Sequence, residues 1–310
     1  MHSTVIPELL APAGSPDALI AAVSAGADAV YLGGAQYGAR QNAANFGKPE
    51  MEWALRYCHT RGVRVYVTLN TLLSDAEMED AVKYACWLYE RGADAVIVQD
   101  VGLADILHPS VPDLPLHAST QMTILSKDGL EWAHALGCLR VVLPRELTIR
   151  EISDIYAGSD DRYPEPEVFV HGALCYAYSG QCLLSSLIGG RSGNRGSCAQ
   201  PCRREYTLLS GDVDTWGLPV KDTLRTVKTH YLLSPRDLCT YPKIPEIVKS
   251  PVVSLKIEGR MKSPEYVATV VYVYRKALDE AKNGSFAFSD ADILTLRAAF
   301  WELGPGLLRM

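Results

Sequence analysis

Gly26-Ala27-Asp28-Ala29-Val30 recurs further along the chain as Gly92-Ala93-Asp94-Ala95-Val96. In both places the glycine follows an amphipathic, helix-like run, and the last residues open an apolar, strand-like run. A glycine behind a helix with a strand directly after it is typical of a repeating strand–helix unit. Because five residues make a short repeat, the prediction of stacked βα units depends on the rest of the chain.

Strand-like and helix-like runs alternate along most of the sequence. The predicted strands are Glu8–Pro12, Asp28–Leu32, Val63–Thr68, Ala95–Gln99, Leu116–Thr120, Val141–Pro144, Val168–His171 and Val253–Ile257. Eight strands of this kind in 310 residues predict an α/β fold, a (β/α)8 barrel of the TIM type. A doubly wound open sheet stays possible, because strand order cannot be read from sequence.

One long interval, between the seventh and eighth strands, interrupts the alternation. We predict a single barrel domain over residues 1–310, with residues 172–240 as a Cys-rich, metal-binding insertion over one end of the barrel. After the eighth strand, Ser263 predicts the start of the final helix and Asn283-Gly284 its end.

Composition and charge limit the function classes. A net charge of −6 and a pI near 5.7 argue against a broad basic surface for nucleic acid. A local basic patch stays possible around Arg191, Arg195, Arg203 and Arg204. The first residues lack a secretory signal and no apolar run is long enough to span a bilayer, so a cytoplasmic protein is expected.

Four cysteines crowd one stretch as Cys175-x6-Cys182 and Cys198-x3-Cys202, and Cys239 follows. In a reducing compartment such thiols indicate a metal centre rather than disulfides, and soft sulfur suits iron–sulfur clusters, zinc and copper(I). Zinc sites usually have two tight knuckles, and only the second pair resembles one, so an iron–sulfur cluster is favoured. Zinc and redox-active cysteines remain alternatives. We predict the first four cysteines as ligands, with Cys239 as a spare or a replacement for Cys202.

Polar side chains share one face of the last predicted strand, where Ser254, Lys256, Glu258 and Arg260 alternate with apolar residues. Alternate side chains of a barrel strand point into the lumen, and enzymes of this fold build their sites at the carboxyl ends of the strands. Lys256, Glu258 and Arg260 are therefore candidate catalytic residues. The alternative is a buried network in which these charges neutralise one another.

The same alternation selects inward-facing residues on other strands. On the seventh strand it points Glu167, Phe169 and His171 into the lumen, and Glu167 and His171 join the candidate catalytic set. The further candidates are Tyr66, Thr68, Asn70, His117, Ser119, Gln121 and Arg145. His171 precedes Cys175 by four residues, so it could tune a metal centre, bind substrate or only stabilise a turn.

One long motif resembles a known family. Glu167-x-Phe169-Val170-His171-Gly172-Ala173-Leu174-Cys175-x4-Gly180-x-Cys182-Leu183-Leu184-Ser185 is similar to the signature of peptidase family U32, the collagenase-like proteins. Glu8-Leu9-Leu10-Ala11-Pro12-Ala13-Gly14 and Ser254-Leu255-Lys256-Ile257-Glu258-Gly259-Arg260 also resemble that family. The resemblance extends over about residues 7–283.

The resemblance implies a barrel-like fold and a 4Fe-4S cluster, with Cys175, Cys182, Cys198 and Cys202 as its ligands. It further implies oxygen-independent hydroxylation of tRNA or rRNA, or of ubiquinone precursors, with prephenate as oxygen source in the RNA reactions. Peptidase activity and a non-catalytic iron–sulfur role within a larger complex are the alternatives. The expected partners are thus a small anionic substrate and RNA.

Two departures from the family pattern argue against RNA binding. RNA-modifying members continue into a further C-terminal region, which this sequence does not show. The stretch from Ala299 to Gly304 also differs from the Phe-Asn-Arg-Gly-Phe-Thr type of motif expected there.

Overall fold

The computed structural model of the protein describes residues 6–40, 43–158 and 163–301, so most of the divergent stretch after Ala299 lies outside the described residues. Its strands are β1 (Glu8–Pro12), β2 (Ala29–Gly33), β3 (Arg64–Leu69), β4 (Ala95–Val98), β5 (Leu116–Ala118), β6 (Cys138–Val142), β7 (Glu165–Gly172), β8 (Tyr206–Ser210), β9 (Arg225–His230), β10 (Leu238–Cys239) and β11 (Ser254–Ile257). Its helices are α1 (Pro16–Ser24), α2 (Lys48–His59), α3 (Asp75–Glu90), α4 (Val101–Ser110), α5 (Lys127–Ala135), α6 (Ile149–Tyr156), α7 (Leu184–Gly189), α8 (Ile244–Ile247), α9 (Pro264–Lys282) and α10 (Asp290–Trp301).

Eight parallel strands form a closed barrel. β1 to β7 pair in chain order, and β11 lies between β7 and β1 to complete the ring. This arrangement confirms the (β/α)8 prediction and excludes the open sheet. No described helix combines the length and the apolar character that a membrane crossing requires.

The repeated pentapeptide has the same structural role in both of its positions. The two glycines adopt φ angles of 95° and 84°, a left-handed conformation that suits glycine just behind a helix. The aspartate then accepts a hydrogen bond from the backbone of the preceding strand. Asp28 Oδ2 lies 2.8 Å from the amide nitrogen of Leu9, and Asp94 Oδ2 lies 2.7 Å from that of Val65. The repeat therefore joins each helix end to two neighbouring strands.

Two buried layers surround the strands. The larger layer packs the outer faces of the strands against the helices and includes Leu255 and Ile257. The smaller layer fills part of the lumen with Leu10, Ala29, Tyr31, Tyr66, Ala95 and Ile97. Alternation thus separates the two sides of each strand, as period-2 patterning predicts.

A register shift in β7 overturns the predicted orientation of His171. Phe169 lies opposite Lys256, but His171 lies opposite Ile257, so Val170 is an extra residue in β7. Such a bulge reverses the alternation beyond it. His171 therefore shares the outward face of Ile257, and its Nδ1 lies 3.3 Å from the hydroxyl of Tyr274 on α9.

The end of the chain adds a helix that the sequence patterns did not predict. Ser263 caps α9, because its Oγ accepts a hydrogen bond from Tyr266 N, and α9 ends before Asn283. α9 is not the final helix, however. α10 follows and packs against it, with Lys276 Nζ 2.9 Å from Asp292 Oδ2.

The segment between β7 and β11 lies against the barrel at its start and leaves it further on. Leu72 N donates to Asn194 O at 2.8 Å, and Arg195 contacts both carboxylate oxygens of Glu77 at 2.7 and 2.9 Å. β8 and β9 then form a separate antiparallel hairpin, which we call the arm together with its loop, residues 211–224. β10 returns to pair with the end of β7.

Candidate active site at the mouth of the barrel

A cavity of about 180 Å³ lies at the carboxyl ends of the strands, bounded by the barrel below and the Cys-rich segment above. Four thiols contribute to its wall: Cys175, Cys182, Cys198 and Cys202. Predicted inward-facing residues form the opposite wall: Thr68, Asn70, Ser119, Gln121, Arg145, Phe169, Lys256, Glu258 and Arg260. The structure thus brings the two predicted groups of residues to one place.

The cysteines reach this cavity from different parts of the segment. Cys175 follows β7, Cys182 precedes α7, and Cys202 lies in a single 3₁₀ turn, Pro201–Arg203. Burial raises the pKa of the Cys202 thiol, and the neighbouring sulfurs of Cys175, Cys198 and Cys182 raise it further. These sulfurs are therefore close enough for their charges to interact.

Cys239 lies apart from the other four. It belongs to β10, opposite His171, and its Sγ is 4.0 Å from the Tyr274 hydroxyl. It does not line the cavity. The geometry thus favours Cys202 over Cys239 as a fourth ligand.

The donor set of the cavity consists of thiols, which are the usual protein ligands of iron–sulfur clusters. Within the described ranges, no three His, Cys, Asp or Glu side chains are grouped to hold one metal ion. Four thiols around a shared cavity suit a larger metal group, because each thiolate of a 4Fe-4S cluster binds a different iron atom. Bound iron would also relieve the repulsion that raises the Cys202 pKa, because a metal stabilises thiolates.

Glu258 lies among cations at the mouth. Arg40 Nη2 is 3.4 Å from its Oε1, and Arg145 Nη2 is 3.6 Å from its Oε2. Burial alone would raise the pKa of Glu258, but Arg40, Arg145 and Arg260 together hold it below the ordinary value. The Arg145 guanidinium also lies 3.8 Å from the centre of the Phe169 ring, which fixes its plane.

Arg260 is a buried cation with little compensation. Its residue is 4% exposed, and its Nη1 donates to Thr68 Oγ1 at 3.0 Å. Burial lowers the pKa of this guanidinium to about 10. Gly33 makes room for it, because a Cβ at that position would lie 2.4 Å from the same nitrogen. Guanidinium groups have planar donors that match carboxylates and phosphates, so Arg260 could bind an anion in the cavity.

Lys256 points towards the interior of the barrel rather than towards Glu258. Its Nζ lies 2.9 Å from Glu167 Oε1, and Glu167 Oε2 accepts from Ser254 Oγ at 3.0 Å and from Arg140 Nη1 at 3.4 Å. Burial would raise the pKa of Glu167, but Lys256 and Arg140 hold it below the ordinary value. Arg140 Nη1 also lies 2.7 Å from Glu8 Oε1. We call this set the lumen network: Glu8, Arg64, Arg140, Glu165, Glu167 and Lys256.

The predicted catalytic residues therefore divide into three groups. Lys256, Glu258 and Arg260 line the cavity, whereas Glu167 lies below it in the lumen network. His171 is outside the lumen, and burial lowers its pKa to about 3, so it is neutral at pH 7.

Sequence reasoning missed several residues of the site, among them Arg40 and Tyr31. Arg40 belongs to the loop after β2, and nothing in its sequence context indicates that this loop covers the mouth. Tyr31 lines the cavity from β2 and donates to Ile257 O at 3.0 Å. The alternation along β2 could have identified it, because Ala29 and Tyr31 share the lumen face.

The arginines near the cysteines contribute mainly to the local structure. Arg203 donates to Leu174 O and Ser234 Oγ, both at 2.7 Å, and Arg191 donates to Ser197 O at 3.0 Å. Arg195 is paired with Glu77, whereas Arg191 and Arg204 are exposed members of the predicted basic patch.

A model of peptidase family U32 matches residues 14–300. The chain belongs to this family. The U32 chain is 38% identical over 273 residues to tRNA hydroxylation protein P1 of Bacillus subtilis, covering 88% of this chain and 63% of that protein. It is 41% identical over 276 residues to the 23S rRNA 5-hydroxycytidine synthase of Escherichia coli, covering 88% of this chain and 39% of that protein. The chain thus spans less than two thirds of the length of these two relatives.

Other similarities of the U32 chain concern peptidases. It is 34% identical over 289 residues to a collagenase of Porphyromonas gingivalis, covering 90% of this chain and 67% of that protein. A solved structure of a U32 peptidase superimposes with a TM-score of 0.50 at 14% identity, over 82% of this chain and 94% of that one. At this identity the superposition supports the fold alone.

Proposed function

We propose that this U32 protein is a cytoplasmic iron–sulfur enzyme that supports oxygen-independent hydroxylation of tRNA or rRNA. The observation that carries the proposal is that four thiols and a cation-rich polar wall share one cavity at the carboxyl end of the barrel. Two relatives named for RNA hydroxylation support the choice of substrate class.

Cys175, Cys182, Cys198 and Cys202 would hold a 4Fe-4S cluster. Such a cluster, with a cysteine on each iron, supplies one-electron transfer when it is bound. The reducing cytoplasm would keep the thiols available for iron. All other functions of the site come from the side chains of the barrel.

The cations of the mouth would bind a small carboxylate ligand, for which we propose prephenate. Arg260 and Arg145 present planar donors that match a carboxylate, and Arg40 lies beside them across Glu258. Burial strengthens such contacts, because the interior screens charge less than water does. The volume of about 180 Å³ suits a small ligand rather than a folded substrate.

The cofactor proposal is tested by anaerobic purification with iron and sulfide assays and a visible spectrum. Cys175→Ser should abolish the cluster absorbance, whereas Cys239→Ser, the matched control outside the cavity, should retain it. A colourless, zinc-loaded wild-type protein would overturn the proposal.

The substrate proposal is tested by mass spectrometry of tRNA and rRNA nucleosides from a deletion strain. Loss of a hydroxylated nucleoside, restored by the wild type and not by Cys175→Ser, is the expected result. Unchanged hydroxylation in the deletion strain would leave a non-catalytic iron–sulfur role in a larger complex.

The similarity to a collagenase makes peptidase activity the second candidate. The site offers little for it. Ser179 Oγ donates to Glu146 at 3.1 Å, and Ser185 Oγ accepts from Ala199 N at 2.9 Å. Within the residues that the structure describes, neither hydroxyl is hydrogen-bonded to a histidine that could act as its base. Collagen cleavage that survives Cys175→Ser would favour the peptidase.

A further inference from the structure

The arm is exposed on both of its faces. Most residues of β8 and β9 are exposed, and Leu208, Trp216 and Val227 are 50%, 86% and 59% exposed. A two-stranded hairpin is only marginally stable alone, and exposed apolar groups on it are typical of a surface that a partner covers. The arm thus has the character of a surface for a partner.

Charge is unevenly distributed over the arm. Its strands carry only basic ionisable groups, Arg225, Lys228 and His230, apart from Tyr206. The acidic residues lie elsewhere, at Glu205 before β8 and in the loop at Asp212, Asp214 and Asp222. A polyanion that approached the strands would therefore meet cations and no carboxylate.

A bulge places these basic residues on one face. Lys228 lies opposite Leu208, but Thr226 lies opposite Leu209, so Val227 is an extra residue. Without it, Arg225 and Lys228 would point to opposite sides, because they are three positions apart. With it, one face holds Tyr206, Leu208, Ser210, Arg225, Lys228 and His230, and we call it the basic face. The other face holds Thr207, Leu209, Thr226 and Thr229.

The arm begins directly beside the candidate active site. β8 follows the Pro201–Arg203 turn that contains Cys202, and the Tyr206 hydroxyl donates to Pro201 O at 3.1 Å. Arg203 anchors the same turn to Leu174 O, next to Cys175. A molecule bound along the basic face would therefore lie next to the cavity.

We propose that the basic face binds the phosphate backbone of the substrate RNA and so places the target nucleotide at the cavity. This inference rests on the proposed function, which supplies RNA as the substrate class. Lys and Arg contacts to phosphates supply affinity without reading sequence, and each contact makes binding more sensitive to salt. The arm would thus orient the RNA, while the cavity selects the nucleotide.

The test compares two variants that each change the net charge by −2. Arg225→Ser with Lys228→Ser removes the basic face, whereas Thr226→Glu with Thr229→Glu adds charge to the opposite face. Binding of an unmodified tRNA transcript to the cluster-loaded protein is followed by fluorescence anisotropy between 50 and 200 mM salt. The first variant should bind about 10-fold more weakly or worse, with a salt slope reduced by about 2. The second should change affinity by less than about 3-fold, because its charges face away from the RNA.

A third variant controls for folding of the arm. Arg225→Lys with Lys228→Arg keeps both charges and should bind RNA nearly as the wild type does. Iron content and circular dichroism should be equal in all variants, because the arm packs outside the barrel core.

The outcomes separate this inference from the proposed function. If the wild type has no affinity for RNA, the proposed function fails. If the wild type binds but both charge variants weaken equally, or neither weakens, only the basic face is overturned. Unchanged RNA binding with altered sedimentation of the first variant would identify the arm as a protein interface and would also overturn the inference.

Discussion

The lumen network and the mouth of the barrel hold similar side chains, but their charges are balanced differently. In the lumen network three carboxylates face three cations, and each carboxylate has a cation within 2.9 Å. At the mouth three guanidiniums, Arg40, Arg145 and Arg260, face one carboxylate, Glu258. Lys256 and Arg260 lie four residues apart near β11, yet one has a carboxylate partner and the other has a hydroxyl.

This difference in charge balance indicates that the two regions have different roles. Buried ions that pair with one another stay in place without a ligand, because each satisfies the other. Buried cations in excess are costly until an anion arrives, and active sites are where proteins keep such groups. We therefore expect the lumen network to position the strands and the mouth to bind a ligand.

The largest effect is expected from breaking the lumen network. Glu167→Ala would leave Lys256 and Arg140 without this buried partner and should lower the free energy of unfolding by about 3–5 kcal/mol. Glu165→Ala removes another partner of Arg140, but its side chain is 55% exposed, so the loss should be below about 1 kcal/mol. Urea denaturation measures both, and equal losses would contradict the distinction between buried and exposed pairs.

An intermediate effect on the free energy of unfolding is expected when the pH is lowered. Burial, together with Arg140, lowers the pKa of His117 in the lumen to about 3, below its ordinary value of 6.5. Below pH 6.5 the unfolded chain therefore binds a proton that the folded protein does not, and stability falls as pH falls towards 3. The slope from this group is about 1 kcal/mol per pH unit. Urea denaturation between pH 6.5 and 5 should show a smaller slope for His117→Gln than for the wild type, and an equal slope would contradict the prediction.

The smallest effect on stability is expected at the mouth. Arg260→Met should keep the free energy of unfolding within about 1 kcal/mol of the wild type or raise it, because it removes an undercompensated buried charge. The same change should weaken prephenate binding about 10-fold or more, by the loss of a charge-assisted hydrogen bond. Calorimetric titration measures the affinity, with exposed Arg150→Met as control. Destabilisation as large as that of Glu167→Ala would mean that Arg260 supports the fold.

Much of the fold could be predicted because barrel strands repeat a simple pattern. Each of the eight predicted strands overlaps an observed one, since apolar runs between helix-like runs mark strands whatever their neighbours are. The position of the cysteines after β7 followed from chain order alone. The choice between a closed barrel, in which β11 pairs with both β7 and β1, and an open sheet needed the structure, because no local pattern encodes which strands meet.

The site was harder to predict wherever geometry departed from alternation. His171 was assigned to the lumen because a bulge at Val170 leaves no clear trace in sequence. Arg140 was left outside the sixth strand, although its residue lies buried between Leu139 and Val141. Arg40 reaches the mouth through the fold of a loop, which depends on contacts far away in sequence.

The place of β11 in the ring also bears on how the protein is made. During synthesis, β1 and β7 are made before β11. Residues 173–253 are made between β7 and β11. Until it arrives, Glu167 faces an open seam without Lys256, and Glu8 lacks Ser254. The nascent barrel can therefore close only after the Cys-rich segment has left the ribosome, since late, long-range pairing completes such sheets. The cysteine site and the closed barrel would therefore form at about the same stage of synthesis.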